Sequence, residues 1–145
     1  MPDSQLPFDI FVSYRQRDPD RAWVRSVLVP YLKTAGLRVF IDYEAFRIGA
    51  PLVTEMARGV EQSRYTLAVL SPGYLDSNFT ELESVMAEHV GLELSEHRLV
   101  AIKRWPCIPR LGFRAKLYLD LTEDAEVDAG LARLVQQLGR PNQAG

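Results

Sequence analysis

Short, nearly continuous apolar runs alternate along this chain with longer segments whose apolar residues recur at helical spacing. The runs are Phe8 to Ser13, Arg38 to Asp42 (RVFID), Tyr65 to Ser71 (YTLAVLS), Arg98 to Lys103 (RLVAIK) and, more weakly, Lys116 to Leu121 (KLYLDL). They are too short for core helices and lack strict apolar–polar alternation. That combination predicts strands buried on both faces, as in a parallel sheet.

Between the runs, Val24, Val27, Leu28, Tyr31, Leu32 and Ala35 share one helical face. Asp18-Pro19 supplies an N-cap followed by proline at the first helical position, and Gly36 supplies a C-cap. Pro30 lies inside this helix and is expected to kink it. Val53, Met56, Ala57 and Val60 define a helix from about Leu52 to Glu61. A third helix is expected to begin after Ser77-Asn78, with Asn78 as its cap and Glu81 three residues on. Its inward face is Leu82, Val85, Met86, His89 and Val90. The last helix, about Asp124 to Leu138, turns Val127, Leu131, Leu134, Val135 and Leu138 inward.

The order β-α-β-α-β-α-β-loop-β-α predicts a parallel sheet with right-handed crossovers and helices on both faces. One domain over residues 8–138 accounts for the pattern, with residues 1–7 and 139–145 as flexible termini. In such sheets ligands sit at the carboxyl ends of the strands, near the point where strand order reverses. The loops after Ser13, Asp42, Ser71 and Lys103 are therefore the places to look for chemistry.

Composition removes several chemistries. The 145 residues are 47% hydrophobic and 25% charged, the balance of a soluble globular domain. Lys and Arg number 17 against 19 Asp and Glu, a net charge of -2, which disfavours nucleic acid as a partner. A single cysteine, Cys107, allows no intrachain disulfide, and with only His89 and His97 beside it no metal site is expected. The same shortage of histidine argues against a Ser-His-Asp machine. No apolar run approaches the ~20 residues that cross a bilayer, and Met1 to Phe8 lacks the features of a secretory signal. The expectation is a cytoplasmic protein without a membrane partner.

The loops carry neither GxGxxG nor GxxxxGK[ST]. A phosphorelay receiver would need acids after the first strand and a phosphorylatable Asp after the third. Here Ser13-Tyr14-Arg15 and Ser71-Pro72-Gly73 occupy those places. What the loops do contain is FVSYR at the first strand, VFIDYEAFRIGAP from the second and LAVLSPGYLDSNFTELE from the third. Together, in this order and at these strand ends, they resemble a Toll/interleukin-1 receptor (TIR) domain. The resemblance covers Phe8 to Leu138 and implies an α/β, flavodoxin-like three-layer sandwich with a five-stranded parallel sheet.

The resemblance implies one of two functions. Animal receptors and adaptors of the family use the domain as a scaffold that associates with other TIR domains. Many bacterial, plant and axonal members instead cleave NAD between nicotinamide and ribose, in immune or cell-death signalling. Those enzymes carry a glutamate in a motif resembling S-x-W-C-x-x-E. The corresponding stretch here is Ser77-Asn78-Phe79-Thr80-Glu81-Leu82-Glu83, which keeps the glutamate at Glu83 and replaces Trp by Phe and Cys by Thr.

The chemistry explains why one carboxylate suffices. The nicotinamide of NAD is already a cationic leaving group and needs no acid. Bond cleavage leaves positive charge on the ribose, as in a glycosidase, and a fixed carboxylate beside it stabilises that charge. NAD is then the substrate, and no separate cofactor is required. Glu83 lies one turn from Phe79 and Thr80 and borders the apolar face of its helix, where desolvation could raise its pKa. The plain alternative is a surface residue of an acidic helix.

Further candidates for substrate contact come from the same resemblance. Phe79 would line the nicotinamide or ribose pocket, or else only staple the helix start to the core. Arg15 could bind the diphosphate and Tyr14 could stack; alternatively they form a core rim and a surface ion pair. Asp42 would contact ligand or, as we favour, hold the following loop through its backbone amides. Phe46, Arg47 and Gly49 lie in the 42–51 loop, read as a mobile recognition element with an exposed aromatic that also mediates self-association, or else as an ordinary packed loop. Ser71-Pro72-Gly73 reads as a turn, and Trp105, Cys107 and His89 as structural. Charge is segregated: there is no Lys or Arg between Arg64 and Arg98, and no acid between Arg98 and Lys116. That offers complementary faces for association, or simply two solvated surfaces.

Overall fold

The computed structural model describes residues 6–91, 98–108 and 118–138. Strands β1 (Phe8–Ser13), β2 (Val39–Phe40), β3 (Ser63–Leu70), β4 (Leu99–Lys103) and β5 (Leu119–Asp120) form one five-stranded sheet in the order β2-β1-β3-β4-β5. All four pairings are parallel, with Ile10 beside both Val39 and Tyr65, and Ala68 beside both Ser13 and Ala101. The chain reverses direction across the sheet between β1 and β3, so the switch point lies at their carboxyl ends.

Helices α1 (Asp20–Trp23), α2 (Val29–Thr34), α3 (Asp42–Ala45), α4 (Leu52–Gln62), α5 (Pro72–His89) and α6 (Val127–Leu138) follow in chain order. The pleat sorts the strand residues between two cores. Ile10, Val12, Val39, Leu67, Val69 and Ile102 face one side, with Val24 and Leu28 of the segment joining α1 to α2, Leu32 of α2 and Leu131 of α6. Phe11, Phe40, Ala68, Leu70 and Ala101 face the other, with Met56 and Val60 of α4 and Leu82 and Val85 of α5. The three-layer architecture is thus the one the apolar pattern predicts.

The boundaries differ where local chemistry competes. Between α1 and α2 the chain runs through a π-helical segment, Val24–Leu28. There the Val29 N–H bonds to the Val24 carbonyl, five residues back. Pro30 cannot donate to the carbonyl four residues before it and its ring crowds that carbonyl; the wider turn is how the helix accommodates it. The helix start is shifted by one from the expected Asp18 cap: Pro19 takes the N-cap position and Asp20 begins α1, although the Asp18 carboxylate still accepts from the Ala22 N–H at 3.1 Å. The second strand is only two residues long because Asp42 already begins α3. The third helix does not start after Asn78. It starts at Pro72, capped by Ser71, whose Oγ accepts from the Tyr74 N–H at 3.2 Å. The expected turn at Ser71-Pro72-Gly73 is therefore a cap with proline at the first helical position. The last helix opens with a 3-10 turn, Asp124–Glu126. Residues 1–5 and 139–145, and the basic side chains Arg110, Arg114 and Lys116, lie outside the described residues.

At the amino end of the sheet, Arg38 and Arg64 both bond to the buried carboxylate of Asp9, and Arg64 also donates to the Leu138 carbonyl. Burial opposes ionisation of Asp9, but Arg38 outweighs it and holds the carboxyl below the usual range. The tightest helix–sheet approach is at Gly59 of α4, where a Cβ would lie 2.7 Å from the Phe11 ring. Gly59→Ala is expected to destabilise the fold by about 1–3 kcal/mol, read as a lower urea midpoint with unchanged m.

Candidate functional site

The carboxyl end of β1 opens into a shallow cleft of about 60 Å³ between the β1 end, α3 and the start of α4. Phe11, Ser13, Tyr14, Gln16, Asp42 and Phe46 form most of its wall, with Leu52 and Met56 at one side. Three of the predicted site residues, Tyr14, Asp42 and Phe46, therefore meet in one place. Arg15, Arg47, Gly49, Phe79 and Glu83 do not line it.

Asp42 organises this wall. Its carboxylate accepts the Tyr14 hydroxyl and the Gln16 amide, each at 2.7 Å, and the Arg25 guanidinium stands 4.0 Å away. Asp42 thus holds the chain after β1 through side chains, rather than its own loop through backbone amides. Tyr14 is buried and its phenol is pushed up to about 12, first by burial and then by the adjacent Asp42. It remains a neutral hydrogen-bond donor across the physiological range. Arg25 donates to the Tyr14 hydroxyl at 3.3 Å and stacks on the Tyr43 ring, 4.7 Å from its centroid.

Arg15 points the other way, across the switch point. Its guanidinium covers Gly73 in the first turn of α5, where a Cβ would sit 2.4 Å from Cζ. Beneath it Asp20, buried, accepts the Ser71 hydroxyl at 2.5 Å. Burial raises the Asp20 carboxyl, with Ser71 and the charge of Arg15 opposing. The strand ends of β1 and β3 are tied together by this group, which pattern reading missed. Aspartate at a helix start reads as a surface residue.

The 42–51 loop is not the free element its length predicts. Glu55 of α4, only 1% exposed, accepts the Arg47 backbone N–H at 2.7 Å and its guanidinium at 3.0 and 2.7 Å. Arg58 adds a bond at 2.5 Å and also reaches the Ala45 carbonyl. Phe46, expected exposed, packs against Phe11 and Phe40 at 6.2 and 6.0 Å between centroids. Gly49 adopts φ +86°, a left-handed turn conformation that favours glycine. The apolar group this turn presents is Ile48, at 105% exposure, a residue sequence reasoning passed over. Arg47 and Phe46 thus brace the loop, and Ile48 is its outward face.

On α5 the two motif residues separate. Phe79 is fully buried, packed against Tyr74 at 5.9 Å, and so cannot line a ligand pocket in this conformation. The expectation of substrate contact is corrected to the core staple. Glu83 sits about 40° further round the helix and is exposed, not desolvated. Its charge is nonetheless felt at Tyr74: burial drives that phenol above its ordinary range, the Ser13 hydrogen bond opposes, and Glu83 adds to the rise. Tyr74 and Ser13 hydroxyls lie 2.9 Å apart, so the α5 interior is bonded to the cleft wall. His89 joins α5 to α4 through Glu61 at 3.2 Å. Among the described residues no group of three or more His, Cys, Asp and Glu could hold a metal ion.

Comparison with known proteins gives the same outline. A family model described as TIR domain matches residues 10–135. The chain is 31% identical over 97 residues to Toll-like receptor 6 of Homo sapiens, covering 67% of this chain and 12% of the receptor. It is 26% identical over 100 residues to NAD(+) hydrolase TirS of Staphylococcus aureus, covering 69% of this chain and 34% of that protein. The chain thus spans about an eighth and a third of the lengths of these relatives. Among solved structures, the TIR domain of the Toll-related receptor TRR-2 from Hydra magnipapillata superposes with a TM-score of 0.75 at 21% identity, covering 90% of this chain and 98% of that one.

The carboxyl of Glu55 is lowered to about 2, chiefly by its bonds to Arg47. A folded-state pKa below the unfolded value stabilises above the unfolded pKa and is lost as pH falls through the folded one. Glu55→Gln should therefore lower the urea midpoint at pH 7, and the gap to the wild type should shrink between about pH 4.5 and pH 2. Phe79→Ala should cost about 3–5 kcal/mol of stability, the range for an emptied aromatic core site.

Proposed function

This chain belongs to the TIR domain family, and from that premise we propose that it cleaves NAD at the nicotinamide–ribose bond. Glu83 is the group that stabilises the positive charge developing on the ribose. The reading is carried by Glu83 itself, an exposed carboxylate at the motif position on α5, electrostatically linked to Tyr74 and so to the cleft at the β1 end. The similarity to a bacterial NAD(+) hydrolase supports it. Tyr14 and Asp42 offer polar groups in the cleft, and Arg15 offers a cation at the switch point for the diphosphate. No metal or further cofactor enters the reaction.

Among the described residues Glu83 is not part of the lining of the cleft at the β1 end. Cleavage needs the ribose held from more than one side and water excluded. A second TIR domain, reached through the 42–51 loop with Ile48 outward, would complete the enclosure, so activity depends on association. Such an enzyme acts in defence or cell-death signalling in the cytoplasm. Among the described residues no helix is long and apolar enough to cross a membrane. The likeness to Toll-like receptor 6 favours a second reading, a non-catalytic module that recruits other TIR domains.

Incubation of concentrated protein with NAD separates the two. We expect nicotinamide release with a specific activity that rises with protein concentration. Glu83→Gln should reduce it ~10²–10³-fold, with Glu81→Gln far milder. Ile48→Glu should suppress the concentration dependence without altering the unfolding transition. Equal turnover by wild type and Glu83→Gln would sink the assignment, and no release at any concentration favours the recruiting module.

A further inference from the structure

One buried polar contact is not explained by stability. Ser13 and Tyr74 are 61 residues apart, both buried, and their hydroxyls lie 2.9 Å from each other. The surroundings of Tyr74 are apolar: it packs against Phe79 in a core with Leu70, Leu82 and Met86. Phenylalanine at 74 and alanine at 13 would fill the same space, and replacing both partners of a neutral hydrogen bond by apolar groups is close to neutral. The pair is also a direct hydrogen bond, among the described residues, between a wall residue of the cleft and the body of α5.

Its proton arrangement follows from the two hydroxyls. A phenol is the stronger donor of the two, and Ser13 Oγ is the hydrogen-bond partner of the Tyr74 hydroxyl among the described residues. Either hydroxyl could be the donor; Tyr74 is the more deeply buried and Ser13 borders the cleft, so the arrangement that strands neither proton has Tyr74 donating and Ser13 accepting. Burial, with the nearby Glu83 charge, keeps the phenol protonated at working pH. Ser13 is left with its own proton, and Ser13 lines the cleft.

We propose that Ser13 is a ligand-binding residue of the cleft, its hydroxyl donating to an acceptor oxygen of the bound nucleotide, and that Tyr74 is the positioning residue that orients it. The proposal rests on the NAD reading and adds two residues to it. The pair also gives α5 a defined register against the β1 end, so ligand seated on Ser13 is sensed by the helix that bears Glu83.

The test is a double-mutant cycle on NAD affinity, measured as KM, or as Kd by calorimetry where turnover is slow. Ser13→Ala should weaken affinity about 3- to 10-fold. Tyr74→Phe, which keeps the ring and hence the packing, should weaken it about 2- to 5-fold. In the Ser13→Ala background Tyr74→Phe should add nothing, because the hydroxyl it orients is gone. A merely structural pair would lower the thermal midpoints and leave affinity alone. Unchanged affinity in Ser13→Ala, or an equal effect of Tyr74→Phe in both backgrounds, overturns the inference while the NAD reading stands. A wild-type protein that neither binds nor turns over NAD removes both.

Discussion

Two-sided burial of β3 is the constraint on which the rest of the molecule depends. Leu67, Ala68, Val69 and Leu70 are all inaccessible to solvent, with alternate residues facing opposite cores. A strand buried this way needs helices above and below it, and parallel neighbours reached by crossover. Every strand then ends on the same rim. Tyr14, just after β1, thus meets Asp42, two residues after β2, and Ser71, just after β3, meets Asp20, although each pair is distant in sequence. The rim is where a parallel sheet has polar groups to spare, and this one spends them on Asp20, Asp42 and the Ser13–Tyr74 pair.

Much of this was legible before the structure. β1 spans Phe8–Ser13 as its apolar run indicates, the α6 face follows its 3.6-residue periodicity, and on α4 Met56, Ala57 and Val60 turn inward while Val53, in its first turn, stays exposed. The start of α5 was not legible, because serine followed by proline and glycine reads as a turn as readily as a cap. Phe79 illustrates a subtler limit. It falls within about 20° of Met86 on the helical wheel, which is a core position, but a motif match invites the opposite reading of the same ring. The pairing of Arg47 with Glu55 follows no helical or strand spacing, since it closes a loop onto the helix after it. Nothing local in the chain announces such a contact.

Rigidity is distributed unevenly round the rim. The 42–51 loop is braced from beneath by Glu55 and from within by Phe46, so its turn at Gly49 presents Ile48 from a fixed base. A loop ordered beforehand loses little conformational entropy when a partner covers it, and a single apolar side chain can then act as an anchor. Glu83, by contrast, lies on an exposed face of α5.

The π-helical segment between α1 and α2 carries a consequence for how such a protein can diversify. It inserts one residue relative to a regular helix, which turns the upstream half by about 100° against the downstream half. Downstream, Leu28, Val29 and Leu32 answer only to the core. Upstream, Asp20 answers to the rim, and Arg25, within the wide turn, reaches Tyr14 and Tyr43. The extra residue acts as a phase joint between these two duties. Gaining or losing it would swing the rim-facing half to a new heading while the buried half stayed seated, offering a lineage a new set of rim contacts in one mutational step.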